Sequence, residues 1–281
     1  MADKNGRIRI FQETERLSAE HPLLKEAILK SRESQFIEWQ TDPLCPGEKR
    51  YDSPAELVLS AKRSYQAAQP YAAAGKKTCV LNFASSVTPG GGVVKGASAQ
   101  EESLCRISTL YFSISDGETA GMFYEKHWQD IRSGKMGREN ADDCIYTPGV
   151  AVVREDTFDC AFLPEEKWYW VDVITCAAPD LRIFAGEKSF TPTDEEFLRT
   201  MESRLRRILS VAAKNRTEVL ILGAFGCGVF RNPPELVAEA FSNVYGEFSH
   251  CFETIEFAVY APGADDINYR AFLNVPGIRE N

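Results

Sequence analysis

The chain has 281 residues, of which 44% are hydrophobic, 26% charged and 11% aromatic, with a formal net charge of −9. That much apolar material builds a core and excludes global disorder. An acidic chain is also a poor general binder of nucleic acid or of an anionic membrane, though backbone N–H groups and helix N-termini can still hold an anion locally.

Taken in chain order, Thr14 to Trp39 carries Leu17, Leu23, Leu24, Ala27, Ile28 and Ile37 at roughly helical spacing, which predicts helix. A second helix is predicted to start at Asp52-Ser53-Pro54-Ala55-Glu56, where Ser53 and Glu56 fit a capping box and Pro54 falls in the first turn. It should run to about Ala74 and stop at Gly75. Residues 1–75 therefore read as an N-terminal helical extension packed on a core of residues 76–281. After Gly75 strands alternate with helices. Thr78 to Phe83 is a short apolar run, Ser98 to Phe112 has helical spacing, and Cys144 to Val153 and Trp168 to Ala177 read as strands. The stretch from Asp116 to Asp143, broken by Gly117, Gly121, Gly134 and Gly137, is polar and reads as a long surface excursion. Thr193 to Asn215 is predicted as a long helix, acidic at its start and basic later, the favourable order for the macrodipole. Glu218 to Gly223 is a strand, Asn232-Pro233 opens a helix to about Tyr245, and Thr254 to Tyr260 is a last strand. Strands buried on both faces with helices between them predict a three-layer α/β domain.

Eight cysteines, Cys45, Cys79, Cys105, Cys144, Cys160, Cys176, Cys227 and Cys251, form no C-x-x-C pair, and there are three histidines. No zinc site and no cofactor are expected. Runs such as Cys79-Val80-Leu81 and Thr175-Cys176-Ala177 use cysteine as a small buried hydrophobe of a reducing compartment. The opening residues MADKNGRIRIF lack the apolar stretch of a signal peptide, and no apolar run approaches a membrane span. A soluble, cytoplasmic protein is expected.

The segment from Leu81 to Glu102 carries the chemistry. A strand ends, Gly90, Gly91 and Gly92 follow, and Gln100, Glu101 and Glu102 come near the start of a helix. Glycines let the backbone approach a ligand and can aim several N–H groups at a phosphate. Either feature alone is ordinary: glycine loops follow many strands, and glutamates in a first helical turn usually complement the dipole. Together they need a reason, because carboxylates beside an anion-binding loop repel its ligand. A glycosidic bond next to a diphosphate supplies one. Its hydrolysis needs an acid for the leaving oxygen and a base for the attacking water. A carboxyl group desolvated near phosphate charge should have a raised pKa, which suits a general acid.

Gly90-Gly91-Gly92, seven residues, then Gln100-Glu101-Glu102 resembles the signature of poly(ADP-ribose) glycohydrolases, and the shorter bacterial, or microbial, type most of all. Leu81-Asn82-Phe83-Ala84-Ser85, Tyr146-Thr147-Pro148-Gly149-Val150 and the run Val173 to Pro179 are similar to that group too. The likeness covers about Tyr51 to Ala261. It implies a macrodomain-like three-layer α/β/α fold with a mixed central sheet, the N-terminal helices forming an accessory layer. It also implies hydrolysis of the ribose–ribose O-glycosidic bond to release ADP-ribose, with ADP-ribose and poly(ADP-ribose) as ligands and an ADP-ribosylated protein as a possible macromolecular substrate. Glu102 takes the role of general acid and base by this resemblance. By the same resemblance Glu101 is the second catalytic residue, polarising the neighbouring carboxyl and with Gln100 holding ribose hydroxyls and the active-site loop, and Asn82 binds substrate. The animal-type enzymes differ in carrying large extra regions and an Asp and Asn in the strand-loop.

A second constellation runs from Leu220 through Gly223, Gly226, Cys227, Gly228 and Val229 to Phe230, followed by Asn232-Pro233-Pro234. A strand, a glycine turn and a helix N-terminus make a ready diphosphate site. It is neither a Rossmann fingerprint nor a P-loop, and a plain tight turn is the simpler reading of the spacing alone. By the resemblance it is the second phosphate loop, with Phe230 against the terminal ribose. Cys227 has no neighbouring histidine and is not expected to act as a nucleophile. Two rival functions share these loops: a hydrolase removing single ADP-ribose groups from protein or nucleic acid, and a non-catalytic ADP-ribose-binding macrodomain. The paired glutamates speak against the reader, which gains nothing from carboxylates beside a diphosphate.

Overall fold

Alternation decides where each apolar run goes. In β3 (Thr78–Phe83), Cys79 and Leu81 enter the core on one face of the sheet and Val80 the core on the other. In β6 (Val219–Leu222), Leu220 and Leu222 divide from Val219 and Ile221 in the same way. Strands buried on both faces are the mark of a parallel sheet sandwiched between helices. The computed structural model describes residues 3–45, 48–186, 188–261, 263 and 266–281. Within them lies one mixed sheet of eight strands, ordered β1-β4-β5-β3-β6-β7-β2-β8. The further strands are β1 (Phe36–Glu38), β2 (Glu56–Ser60), β4 (Cys144–Val152), β5 (Tyr169–Cys176), β7 (Thr254–Ala258) and β8 (Ile278–Glu280). β1 and β4 run antiparallel at one edge, and the strands from β5 across to β8 pair in parallel.

Several predicted elements are corrected. The first long helix is two, α1 (Lys4–Glu20) and α2 (Pro22–Ser34), followed by β1. Pro22 lacks an N–H, so α1 ends before it and α2 begins on it. The capping box at Ser53 does not form. Glu56 instead opens β2, whose Leu57, Val58 and Leu59 are buried between β7 and β8. The helix there is only α3 (Ser64–Ala73). The helical extension thus reduces to α1 and α2, since β1 and β2 belong to the same sheet as the later strands. Ser98 to Phe112 is broken into α4 (Gln100–Ile107) and α5 (Leu110–Ile114) by the extended residue Ser108, which bridges to Val152. The supposed surface excursion contains α6 (Glu118–Arg132), which buries Ala120, Phe123, Tyr124 and His127. The long helix is α7 (Asp194–Lys214), with Thr193 and Glu196 forming its capping box. The next, α8 (Pro234–Tyr245), is capped by Pro233, one residue after the predicted start. A short α9 (Ile267–Phe272) precedes β8.

One core gathers α7, α8 and α9 on one face of the sheet, and a second gathers α1, α3, α4 and α5 on the other. Glu256 of β7, fully buried, ties the layers together by accepting from Ser60 Oγ at 2.6 Å and Tyr71 Oη at 2.8 Å. The N-terminal helix reaches the glycine loop: Arg7 Nε donates to the Gly96 carbonyl at 2.7 Å. Among the described residues no helix is long and apolar enough to cross a membrane.

Candidate active site

The C-terminal end of β3 and the first turn of α4 are clamped by one side chain. Gln100 accepts the Phe83 N–H at 2.9 Å and donates to the Leu81 carbonyl at 2.8 Å and to Ser64 Oγ at 3.0 Å. That fixes α4 so that Glu101 and Glu102 hang over the loop of Gly90 to Gly92. Gly91 has φ +56, and a Cβ there would lie 2.5 Å from Glu102 Oε1 and 3.0 Å from Glu101 Oε2. Both carboxylates therefore converge on Gly91, where no Cβ stands in their way.

The two carboxylates are held differently. Glu101 is anchored through both oxygens, by the Ser85 N–H at 2.8 Å and the Asn82 amide at 3.4 Å. Its burial pushes its pKa up to about 8, against the Ser85 and Gly90 N–H groups and with help from the charge of Glu102. Glu102 is anchored through one oxygen only, accepting the Gly92 N–H at 2.8 Å. Its Oε2 is buried and has no protein partner among the described residues. The triple glycine accordingly serves the carboxylates. Gly90 and Gly92 turn their N–H groups on Glu101 and Glu102, and Gly91 donates to the Thr88 carbonyl. These N–H groups, expected from the sequence to face a phosphate, are directed here at the two carboxylates and at the Thr88 carbonyl.

Beyond this loop the Ser86 carbonyl accepts from His127 Nδ1 at 3.0 Å, and the opposite ring nitrogen meets Asp143 Oδ2 at 2.9 Å, both side chains being buried. α6 thereby holds the strand-loop from behind.

The second loop supplies the free donors. The N–H groups of Gly228, Val229 and Phe230 have no acceptor among the described residues. Gly226 has φ +76, and a Cβ on it would fall on Asn232 Nδ2 and come within 2.7 Å of Ala178 Cβ. Asn232, predicted as a cap, instead lies buried beneath this turn. The Phe230 carbonyl accepts from Leu181 N–H at 3.0 Å, fastening the loop to the chain after β5. Burial pushes the Cys227 thiol up to about 12, so it is protonated at neutral pH and unsuited to attack.

Two cavities meet at this loop. The smaller, of about 370 Å³, is lined by Arg63, Gln100, Asp156, Gly226, Gly228 and Tyr260 among others. The larger, of about 810 Å³, contains Gly91, Glu101 and Glu102. Phe83, Ala99, Val229 and Phe230 line both, so they adjoin in a single cleft. Of the residues singled out in sequence, the glutamates, Gly91, Gln100, Gly226, Gly228, Val229 and Phe230 meet in this cleft. Asn82 is fully buried behind Glu101 and bonded also to Thr175. Sequence reasoning missed Arg63, whose guanidinium lies 4.4 Å from the Tyr260 ring centre. It also missed Asp156, a buried carboxyl raised by desolvation, and the His127–Asp143 brace. No motif marks any of them.

Residues 12–155 match the family model of the microbial-type PARG catalytic domain. No curated protein matches the chain. Solved structures do. Poly(ADP-ribose) glycohydrolase from Thermomonospora curvata is 28% identical, covers 96% of this chain and 98% of its own, and superposes with a TM-score of 0.83. The same enzyme bound to the inhibitor ADP-HPD gives 0.81 at the same identity and coverage. The Deinococcus radiodurans enzyme in complex with ADP-ribose is 31% identical over 87% of this chain and 94% of its own, with a TM-score of 0.74. With that match and this pair of carboxylates lining the larger cavity of the cleft, the chain belongs to the microbial-type poly(ADP-ribose) glycohydrolases, glycosidases that act on poly(ADP-ribose).

Proposed function

We propose that Glu102 is the general acid and base of this glycosidic hydrolysis. The observation that carries the proposal is the asymmetry of the pair: Glu101 is pinned through both oxygens, while Glu102 keeps Oε2 without a partner. The terminal ADP-ribose lies along the cleft, its adenosine in the smaller cavity and its diphosphate on the N–H groups of Gly228, Val229 and Phe230. Phe230 flanks the terminal ribose, which reaches the carboxylates over Gly91. Gly90, Gly92, Gln100 and Asn82 act by holding the carboxylates, and Gly226 and Cys227 by shaping the second turn.

Burial pushes the Glu101 carboxyl up to about 8, so Glu101 itself is neutral at neutral pH. In the first step the bond from the anomeric carbon to the bridging oxygen breaks, and Glu102 gives its proton to that oxygen. Water then attacks the anomeric carbon and returns a proton to Glu102, so acid and base are the same group. Glu101 stays fixed and limits the negative charge beside the diphosphate. An ADP-ribosylated protein carrying the polymer is the macromolecular substrate of this reading, and the buried thiols suit a reducing, cytoplasmic setting.

The test is Glu102→Gln, assayed for ADP-ribose release from polymer and for ADP-ribose binding by calorimetry. Turnover is expected to fall by about 10²–10⁴-fold. Binding should persist or tighten, since a nearby negative charge is removed. Turnover close to wild type would reassign the proton transfer to another group.

A further inference from the structure

The cleft is larger on the wrong side for a single ADP-ribose. The cavity of about 370 Å³ must take an adenosine, whereas the one of about 810 Å³ needs to take only the terminal ribose and the near side of the diphosphate. The extra space extends past Glu101 and Glu102 toward the end of α6 and the chain after β5. Trp128 lines it and is half exposed. Arg182 lines the same cavity and grips Asp180 through Nε and Nη2, both at 2.8 Å, while Arg138 Nη1 reaches the same carboxylate at 2.9 Å. Arg182 Nη1 has no acceptor among the described residues, and the guanidinium lies 5.0 Å from the ring centre of Phe230. A preorganised, forked cation thus stands beside the aromatic residue that flanks the scissile bond.

The chemistry of the polymer says what belongs there. The oxygen released when a ribose–ribose bond breaks is a hydroxyl of the adjoining unit's adenosine ribose. That ribose carries an adenine at one carbon and a diphosphate at another. An arginine held in plane by a carboxylate is suited to a phosphate oxygen, and an exposed indole face to a purine.

We propose that the larger cavity is a subsite for the leaving nucleotide, in which Arg182, braced by Asp180, contacts its diphosphate and Trp128 packs against its adenine. This rests on the catalytic reading above. It makes cleavage depend on contacts to the nucleotide of the leaving group, beyond those to the terminal unit.

The experiment compares two substrates, an ADP-ribose oligomer and the 4-nitrophenyl glycoside of ADP-ribose, which has no leaving-side nucleotide. Wild type, Arg182→Ala, Arg182→Lys and Trp128→Ala are assayed at low and moderate salt. For Arg182→Ala the oligomer KM should rise about tenfold, the size of one lost charge-assisted contact, with a smaller change in kcat. The oligomer-to-glycoside ratio of kcat/KM should fall by the same factor, and the salt dependence of the oligomer KM should weaken. Arg182→Lys should recover part of the loss, and Trp128→Ala, at an exposed position, should lower the ratio without affecting the fold. Equal losses on both substrates, or weakened binding of free ADP-ribose, would place Arg182 on the terminal unit and overturn the subsite. An unchanged ratio in all variants would overturn it as well. A wild type that cleaves neither substrate would instead defeat the catalytic reading.

Discussion

Gly91→Ala is a small change that tests the geometry of the carboxylate pair. The residue sits at φ +56, where an alanine costs about 1–2 kcal/mol of backbone energy. For a chain of this size that lowers Tm by roughly 2–5 °C. The larger effect is local. The new methyl would stand 2.5 Å from Glu102 Oε1, and an ordinary contact begins at 3.4 Å. The carboxylate must therefore retreat by roughly 0.9 Å, leaving the Gly92 N–H that anchors it. Misplacement on that scale costs about 100-fold in rate. ADP-ribose should still bind, because Gly228, Val229 and Phe230 are untouched. The assay is release of ADP-ribose from polymer, with a thermal melt and calorimetric binding on the same preparation. A folded Gly91→Ala protein with turnover within about twofold of wild type would refute the link between this glycine and the placement of Glu102.

The pH dependence follows from Glu101. Its carboxyl is held up to about 8 when folded, against 4.5 as a free side chain. Between those values the native chain binds a proton that the unfolded chain has lost, so stability declines as pH rises through the window and levels off above it. Glu101→Gln should lack this slope, and melts of variant and wild type that run parallel from about pH 5 to about pH 8 would contradict the buried, protonated state. In wild type kcat/KM should also fall above about pH 8, as ionised Glu101 adds negative charge beside the diphosphate. Gly226→Ala, with its new Cβ driven toward Asn232 and Ala178, should lower Tm and weaken ADP-ribose binding by about tenfold, since the adjacent donors shift with the turn; unchanged calorimetry would show that those N–H groups do not hold the diphosphate.

The parts of the fold legible in sequence are those where one local rule dominates. Cys79 to Leu81 of β3 and Val219 to Leu222 of β6 are unbroken apolar runs buried on both faces, and α7 carries its own capping box. β2 was not legible as a strand. Ser53 and Glu56 have helix-start spacing, and only burial of Leu57, Val58 and Leu59 between two distant strands overrides it. α6 was hidden by Gly121 and by apolar residues on both sides of the helix, Met122, Trp128 and Ile131 being exposed while Phe123 and His127 are buried. In the site, adjacency in sequence revealed Gln100, Glu101 and Glu102, because three neighbours in one helical turn also neighbour in space. Their different hydrogen-bonding could not be read that way. It depends on Ser85, Asn82 and Gly92 meeting them across a turn. Arg63 and Asp156 were invisible for the same reason: their partners come from other elements.

The position of β2 has a consequence for the chain as it is made. Its sheet neighbours are β7 and β8, and Ser60 lies 196 positions before its partner Glu256. At synthesis rates of about 5–20 residues per second, that separation is roughly 10–40 s during which Leu57, Val58 and Leu59 have left the ribosome with no strand to pair with. A nascent chain in this interval exposes an apolar edge to its neighbours on the same message. Slowing translation should therefore raise the yield of aggregated product rather than lower it, and a chaperone that covers residues 56–60 would be needed longer than for any other strand. The carboxylates of α4 are synthesised early, but the sheet that carries them closes only when the last strands arrive.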